Sequence, residues 1–217
     1  MRISLVGATG FIGSRLLNEL IRRGHEVVAI ARGADKLPDN AIIHPVPIEV
    51  TDVAALTRAF RGSDAVIHAL ATPKDLATEE RMARMRAGTA AIISAVKAAG
   101  VPRVLAVGGA GTLEVAPGLR FMDSFIFPKA WQGSAIVTAE IKELLKGETV
   151  FSWTYLCPPQ FLERGERTGK FRLGTDQIVV AEDSFGRSHI SVEDYAVAMI
   201  DELEQPKHTG RRFTVGY

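Results

Sequence analysis

The chain carries one cysteine, Cys157, and a lone thiol excludes any intrachain disulfide. A reducing compartment and a cytoplasmic address are expected from that. No apolar run comes near the roughly 18 residues of a membrane-spanning helix. An apolar strand begins at residue 2, so no signal peptide is expected ahead of it. Charge of neither sign dominates: 26 Lys and Arg stand against 25 Asp and Glu, a net charge of +1. That leaves no basic footprint for nucleic acid and none for an anionic membrane. No His, Cys or Asp grouping has metal-ligand spacing, so no metal is expected. Repeats, low-complexity tracts and linkers are missing as well. With 47% apolar and 24% charged residues over 217 positions, the composition is that of one globular domain over 1–217.

The informative segment is the first. Residues 2–6 (Arg-Ile-Ser-Leu-Val) read as a short buried strand that runs into Gly7-Ala8-Thr9-Gly10-Phe11-Ile12-Gly13 and then a helical pattern. Strand, glycine turn and helix is the layout that holds a dinucleotide pyrophosphate. Gly7 permits the tight turn. Gly10 lets backbone approach the phosphates. Gly13 lets the helix pack close to the strand. The first N–H groups of that helix lack partners inside it and point at the anion. Thr9, Phe11 and Ile12 belong to the same cradle.

Strand and helix patterns then alternate. Strands are expected at 26–31, 44–48, 65–70, 103–107, 151–156 and 212–215, and helices at 11–23, 53–60, 78–99, 128–145 and 191–204. Pro45 and Pro47 place the third strand at a sheet edge, because a central strand would lose ladder bonds there. Asp52 is expected to cap the helix from 53. Ser191 and Asp194 read as a cap and its acidic first-turn partner. The repeated β-α-β units imply an α/β fold: a Rossmann-like, doubly wound parallel sheet with helices on both faces, in strand order 3-2-1-4-5-6. Residues 157–192 are expected to form a small C-terminal cap. The ligand crevice then lies outside the carboxyl ends of the strands.

The residues also resemble a known family. Gly7 through Gly13, then Thr51-Asp52, then Gly108-Gly109-Ala110-Gly111-Thr112-Leu113 resemble the atypical short-chain dehydrogenase/reductases. The nearest group is the NmrA-like, biliverdin-reductase-B-like and NADH-flavin reductase set. The tail resembles the bacterial NADH-flavin reductases in particular: Gly165-Glu166-Arg167-Thr168-Gly169-Lys170-Phe171-Arg172-Leu173-Gly174, Ser188-His189-Ile190-Ser191-Val192-Glu193-Asp194-Tyr195-Ala196 and Arg211-Arg212-Phe213-Thr214-Val215-Gly216-Tyr217. The resemblance implies that Asp52 contacts the adenine amino group, beside or instead of capping its helix. It implies that the loop of Pro158 and Pro159 passes the nicotinamide. Leu70, Ala71 and Gly109 are expected along the cofactor path.

In NAD-selective domains an acidic residue after the second strand holds the ribose 2′-OH. Here Arg32 stands in that place. A guanidinium suits a 2′-phosphate, so NADPH is favoured over NADH, and Lys36 can serve in its stead. The larger family carries Tyr-x-x-x-Lys on the helix after strand five, where tyrosine is the acid for carbonyl reduction. This chain has tyrosines only at 155, 195 and 217. Phe125 and Lys129 keep the spacing, but phenylalanine has no proton to give. Thr112 replaces the family's serine and is a candidate hydroxyl donor. His189, expected in a loop before the last helix, is a candidate acid.

Two readings follow. One is a reductase whose small planar acceptor, FMN, FAD or a quinone, needs no protein acid. Phe121, Phe125 and Trp131, with Phe127 and the Pro159 loop, then form an aromatic wall against that acceptor, unless they pack a loop onto the core. The other is a non-catalytic NAD(P)-binding redox sensor of NmrA type. The basic run Arg164, Arg167, Lys170 and Arg172 is either a solvated surface or a phosphate contact. Arg81, Arg84 and Arg86 read as the wet face of a long helix. His68 reads as a hydrogen-bonded core residue. The oligomeric state is open.

Overall fold

The computed structural model describes residues 1–71, 76–182 and 186–217. The chain forms two compact units, Met1–Ala106 with Glu148–Trp153, and Val107–Gly147 with Thr154–Tyr217.

The first unit contains β1 (Arg2–Val6), α1 (Gly13–Arg22), β2 (Glu26–Ile30), β3 (Ile43–Val46), α2 (Val53–Phe60), β4 (Ala65–His68), α3 (Thr78–Ala99) and β5 (Arg103–Val107, in this unit to Ala106). The strands pair in parallel in the order β3-β2-β1-β4-β5. Their continuous apolar runs match a sheet with both faces covered: Ile3, Leu5, Val28, Ile30, Val66 and Ile67 are all buried. β3 is the edge, and Pro45 sits within it opposite Ala29. The proline pattern therefore reads correctly.

In α1, Leu16, Leu17 and Leu20 repeat at helical spacing and are buried. Truncating Leu16 or Leu20 to Ala would cost about 2–5 kcal/mol. Asp52 Oδ1 accepts the Ala55 N–H at 2.9 Å, the expected cap of α2. α3 ends at Gly100, whose φ of +72° closes the helix as its N–H bonds Lys97 O. α1 starts at Gly13 rather than residue 11, because Ile12 is its helix-boundary residue. The strand expected at 65–70 ends at His68.

The second unit contains the hairpin β6 (Glu114–Ala116) and β7 (Leu119–Arg120), helix α4 (Gln132–Lys146), β8 (Ser152–Cys157, in this unit from Thr154), β9 (Phe161–Glu163), β10 (Arg172–Gly174), β11 (His189–Ser191), α5 (Val192–Glu204) and β12 (Arg211–Gly216). β12 runs parallel to β8 and antiparallel to β10. β9 and β11 form a separate parallel pair. The helix expected from 128 begins at Gln132, because Pro128 leads into a 3-10 turn at Lys129–Trp131. The 157–192 stretch, which includes 183–185 outside the described residues, carries three short strands that its irregular pattern does not announce. Ser191 Oγ accepts the Asp194 N–H at 3.0 Å, as a cap should. The architecture is a Rossmann-like α/β fold with a mostly parallel sheet and, among the described residues, five α-helices.

Candidate functional site

The glycine turn follows β1 directly. Gly7 has φ +85°, and its N–H bonds Ile30 O at 2.8 Å. A Cβ on Gly7 would lie 2.3 Å from Ala69 O, and one on Gly13 only 1.9 Å from Gly7 O. The chain's own packing demands both glycines. Gly10 is different. A Cβ there meets only Gly7 O, at 3.2 Å. The N–H groups of Thr9, Phe11, Ile12 and Gly13 have no acceptor among the described residues, whereas Gly10 N–H bonds Gly7 O and Ser14 N–H bonds Gly10 O. No side chain caps α1 and no acid stands in its first turn. Several unpaired donors at the positive end of a helix dipole therefore surround a glycine, and this fits a pyrophosphate.

A cleft of about 320 Å³ opens beside the turn. It brings together Gly7, Thr9, Gly10, Arg32, Leu70 and Ala71 from the ends of β1, β2 and β4, as parallel-sheet geometry requires. Arg32 is exposed and has no hydrogen-bond or ion-pair partner among the described residues. Phe11, Ile12 and Gly13 stand in the turn and helix start but do not line the cleft. Asp52 does not line it either, and its carboxylate is engaged as the α2 cap. Ile48, Glu49 and Val50 line it instead. The rule that ligands gather at strand carboxyl ends points to them, since they follow β3.

His68 supports the cleft from behind. Its ring is buried, Nε2 lies 3.0 Å from Thr89 Oγ1, and Nδ1 accepts the Leu70 N–H at 3.4 Å. Burial pushes its pKa down from 6.5 to about 4, so the ring is neutral near pH 7. An accepting Nδ1 leaves the proton on Nε2, donated to Thr89. His68 is the hydrogen-bonded core residue that its place inside a strand suggests.

In the second unit, Thr112 is fully buried. Its hydroxyl donates to Gly109 O at 2.9 Å and lies 3.3 Å from Cys157 Sγ. This corrects the expectation of an available hydroxyl donor: the group holds the turn together. Gly109 begins that turn, half-buried, where a Cβ would meet Thr138 Oγ1 at 2.5 Å. Burial raises the Cys157 thiol, which fits a packed residue and not a nucleophile. Tyr155 is buried and donates to Thr138 O at 2.6 Å, and Tyr195 donates to Leu156 O at 2.8 Å. Burial pushes both phenols well up.

His189 opens strand β11 and is not in a loop, a second correction. It is half-buried, its ring edge-on to Tyr217 at 5.2 Å. Phe121 is core. It meets Phe127 at 4.9 Å, Phe127 meets Trp131 at 6.2 Å, and Trp131 meets Phe161 at 6.4 Å, all edge to face. Arg187 lies over Phe161 at 4.5 Å. Phe125 is 100% exposed and stands outside this row, so the expected wall lacks it and gains Phe161, which no spacing links to the 121–131 segment. Pro158 is half-buried and Pro159 buried. In the basic run, Arg172 is tied to Glu182, Val180 O and Tyr217 O. Asp194 does more than its first-turn position suggests. Buried, it accepts from Thr168 N, Thr168 Oγ1, Gly169 N and the Tyr217 hydroxyl, and so fixes the 168–169 loop to α5.

No group of three or more His, Cys, Asp and Glu among the described residues has metal-binding geometry, and no helix among them is long and apolar enough to cross a membrane. The chain is similar to an uncharacterized Bacillus subtilis protein, YwnB, with 40% identity over 99% of this chain and 98% of that one. A solved Bacteroides thetaiotaomicron structure named as a candidate epimerase superposes with a TM-score of 0.88 at 43% identity, covering 100% and 96% of the two chains. A Streptococcus pneumoniae structure named as a candidate NADH-flavin reductase superposes with a TM-score of 0.85 at 26% identity, covering 100% and 99%. Residues 7–206, from the glycine turn to just beyond α5, match the family model for NAD(P)H binding, and the chain belongs to that NAD(P)H-binding family.

Proposed function

We propose that this chain is an NAD(P)H-dependent reductase that delivers hydride to a flavin or quinone-like acceptor without a Tyr-Lys pair. The observation that carries the reading is the state of the tyrosines. α4 holds none, and the hydroxyls of Tyr155, Tyr195 and Tyr217 are all hydrogen-bonded inside the protein. A ketone needs a positioned acid as its oxygen gains charge. A flavin or quinone takes hydride and draws its proton from water, so the protein's task reduces to holding flat rings. The likeness to the Streptococcus pneumoniae protein named as a candidate NADH-flavin reductase supports the same acceptor class.

When bound, the reduced nicotinamide supplies the hydride. The residues proposed to hold its dinucleotide are the open N–H groups of Thr9, Phe11, Ile12 and Gly13, the space over Gly10, Arg32 at the adenosine end, and Leu70 and Ala71 along the wall. Arg32 favours NADPH. Gly109 and Pro158 are proposed further along the cofactor path, with Asp52 near the adenine as the resemblance implies. Phe127, Trp131 and Phe161 offer ring edges and faces to a planar acceptor, with Phe121 behind them. A buried free thiol fits a cytoplasmic address.

The test is NADPH oxidation, followed at its absorbance band, with FMN, FAD, riboflavin and a simple quinone in turn, beside a direct NADPH titration. Saturable oxidation is expected. Tight binding with no oxidation of any acceptor would overturn the reductase reading in favour of a sensor.

A further inference from the structure

We propose that Arg84 is a second cofactor-selecting residue, forming with Arg32 a two-arginine clamp for the adenosine 2′-phosphate of NADPH. The proposal rests on the NADPH reading above. In sequence, Arg84 is one of three arginines on a polar helix face. In the structure it is set apart from Arg81 and Arg86: it lines a cavity of about 210 Å³ together with Arg32. Arg32 reaches that cavity from the end of β2, and Arg84 from α3. Val50, Leu70 and Ala71 give it an apolar wall. It shares Arg32, Val50, Leu70 and Ala71 with the cleft beside the glycine turn, so it continues the same ligand path.

The charges fit a phosphate. Arg32 has no partner among the described residues. Among the described residues, Arg84 pairs one helical turn back, with Glu80 at 2.9 Å, and both side chains are half exposed. Such a pair is worth a few tenths of a kcal/mol and gives way to a doubly charged anion. Thr51 also lines the cavity, and its hydroxyl makes no hydrogen bond among the described residues. Glu49 is the acidic residue among the described lining residues, and its Oε1 accepts the Val50 N–H at 3.1 Å. Among the described residues of the lining, Arg32 and Arg84 stand against the single carboxylate of Glu49. Two planar guanidinium forks match the oxygens of a phosphate, whereas a ribose hydroxyl has no use for a second cation.

The experiment is calorimetric titration of the full chain with NADPH, NADH, 2′,5′-ADP and 5′-AMP, for wild type, Arg84→Gln, Arg84→Lys and Glu80→Gln. Arg84→Gln is expected to weaken NADPH and 2′,5′-ADP by about tenfold or more, and NADH and 5′-AMP by less than about twofold. Arg84→Lys should fall between, keeping the charge without the fork. Glu80→Gln breaks the same ion pair and should bind NADPH at least as tightly as wild type. Equal losses for NADPH and NADH in Arg84→Gln, or the same NADPH loss in Glu80→Gln, would overturn the clamp and leave Arg84 a helix-stabilising residue. If wild type prefers NADPH and Arg84→Gln keeps that preference, Arg84 fails while the NADPH reading stands. If wild type binds NADH as tightly as NADPH, the NADPH reading fails and takes the clamp with it.

Discussion

Lowering the pH from about 7.5 to 5 offers His68 a proton that the unfolded chain accepts and the folded chain refuses. Burial holds the folded ring at about 4, against 6.5 in the open chain. Between those values the unfolded state binds more protons, so stability rises with pH. The contribution is complete above 6.5 and is lost as the pH falls toward 4. A difference of about 2.5 pH units at 1.36 kcal/mol each makes the full loss about 3 kcal/mol, of which about 2 kcal/mol is gone by pH 5. Urea unfolding followed by the fluorescence of buried Trp153 reads this directly. With a slope of about 2 kcal/mol/M, the midpoint should fall by about 1 M between pH 7.5 and pH 5 from this residue alone. His68→Gln keeps a donor for Thr89 and does not titrate. Its midpoint is lower at pH 7.5 but should flatten over the same range, while acid losses from carboxylates appear equally in both proteins. Parallel curves for the two proteins would refute the argument that burial of His68 sets this part of the acid response.

Gly10→Val should leave the fold within about 1 kcal/mol of wild type yet reduce binding of either nicotinamide cofactor beyond detection, whereas Gly13→Ala, whose Cβ would meet Gly7 O, should lose about 3 kcal/mol or more in a thermal melt. Full cofactor affinity in Gly10→Val would remove the turn from the binding site. Arg32→Asp should weaken NADPH far more than NADH, by about a hundredfold in dissociation constant, and equal losses would sink the assignment of Arg32. Tyr155→Phe removes a hydrogen bond to Thr138 O and should cost about 1 kcal/mol of stability while leaving the turnover and its pH profile in place; a collapse of turnover in a folded protein would make Tyr155 an acid after all.

Much of the cofactor half was legible from one end of the sequence. Gly7, Gly10 and Gly13 stand on a local strand-turn-helix whose geometry follows from spacing, and Arg32 is placed by the length of the unit after it. Asp52 and Ser191 as caps, Gly100 as a helix stop and β3 as an edge are local rules too, read from one to three neighbouring residues. What sequence could not decide was which side chains meet across distance. The aromatic row joins Phe127 and Trp131 to Phe161, thirty residues on, and leaves Phe125 in solvent, because backbone turns and not residue type choose the direction a ring points. Thr112 lost its availability to a carbonyl three residues away and to the thiol at the end of β8. Asp194 gathered donors from a loop more than twenty residues earlier in the chain. Arg84 looked like its neighbours Arg81 and Arg86 until the packing of α3 set it beside the cavity of Arg32. Local chemistry determined the strand, the turn, the caps and the charge at the end of β2; tertiary packing decided which polar groups are consumed within the protein and which are left to meet a ligand, since burial and long-range partners exist only once the chain has folded.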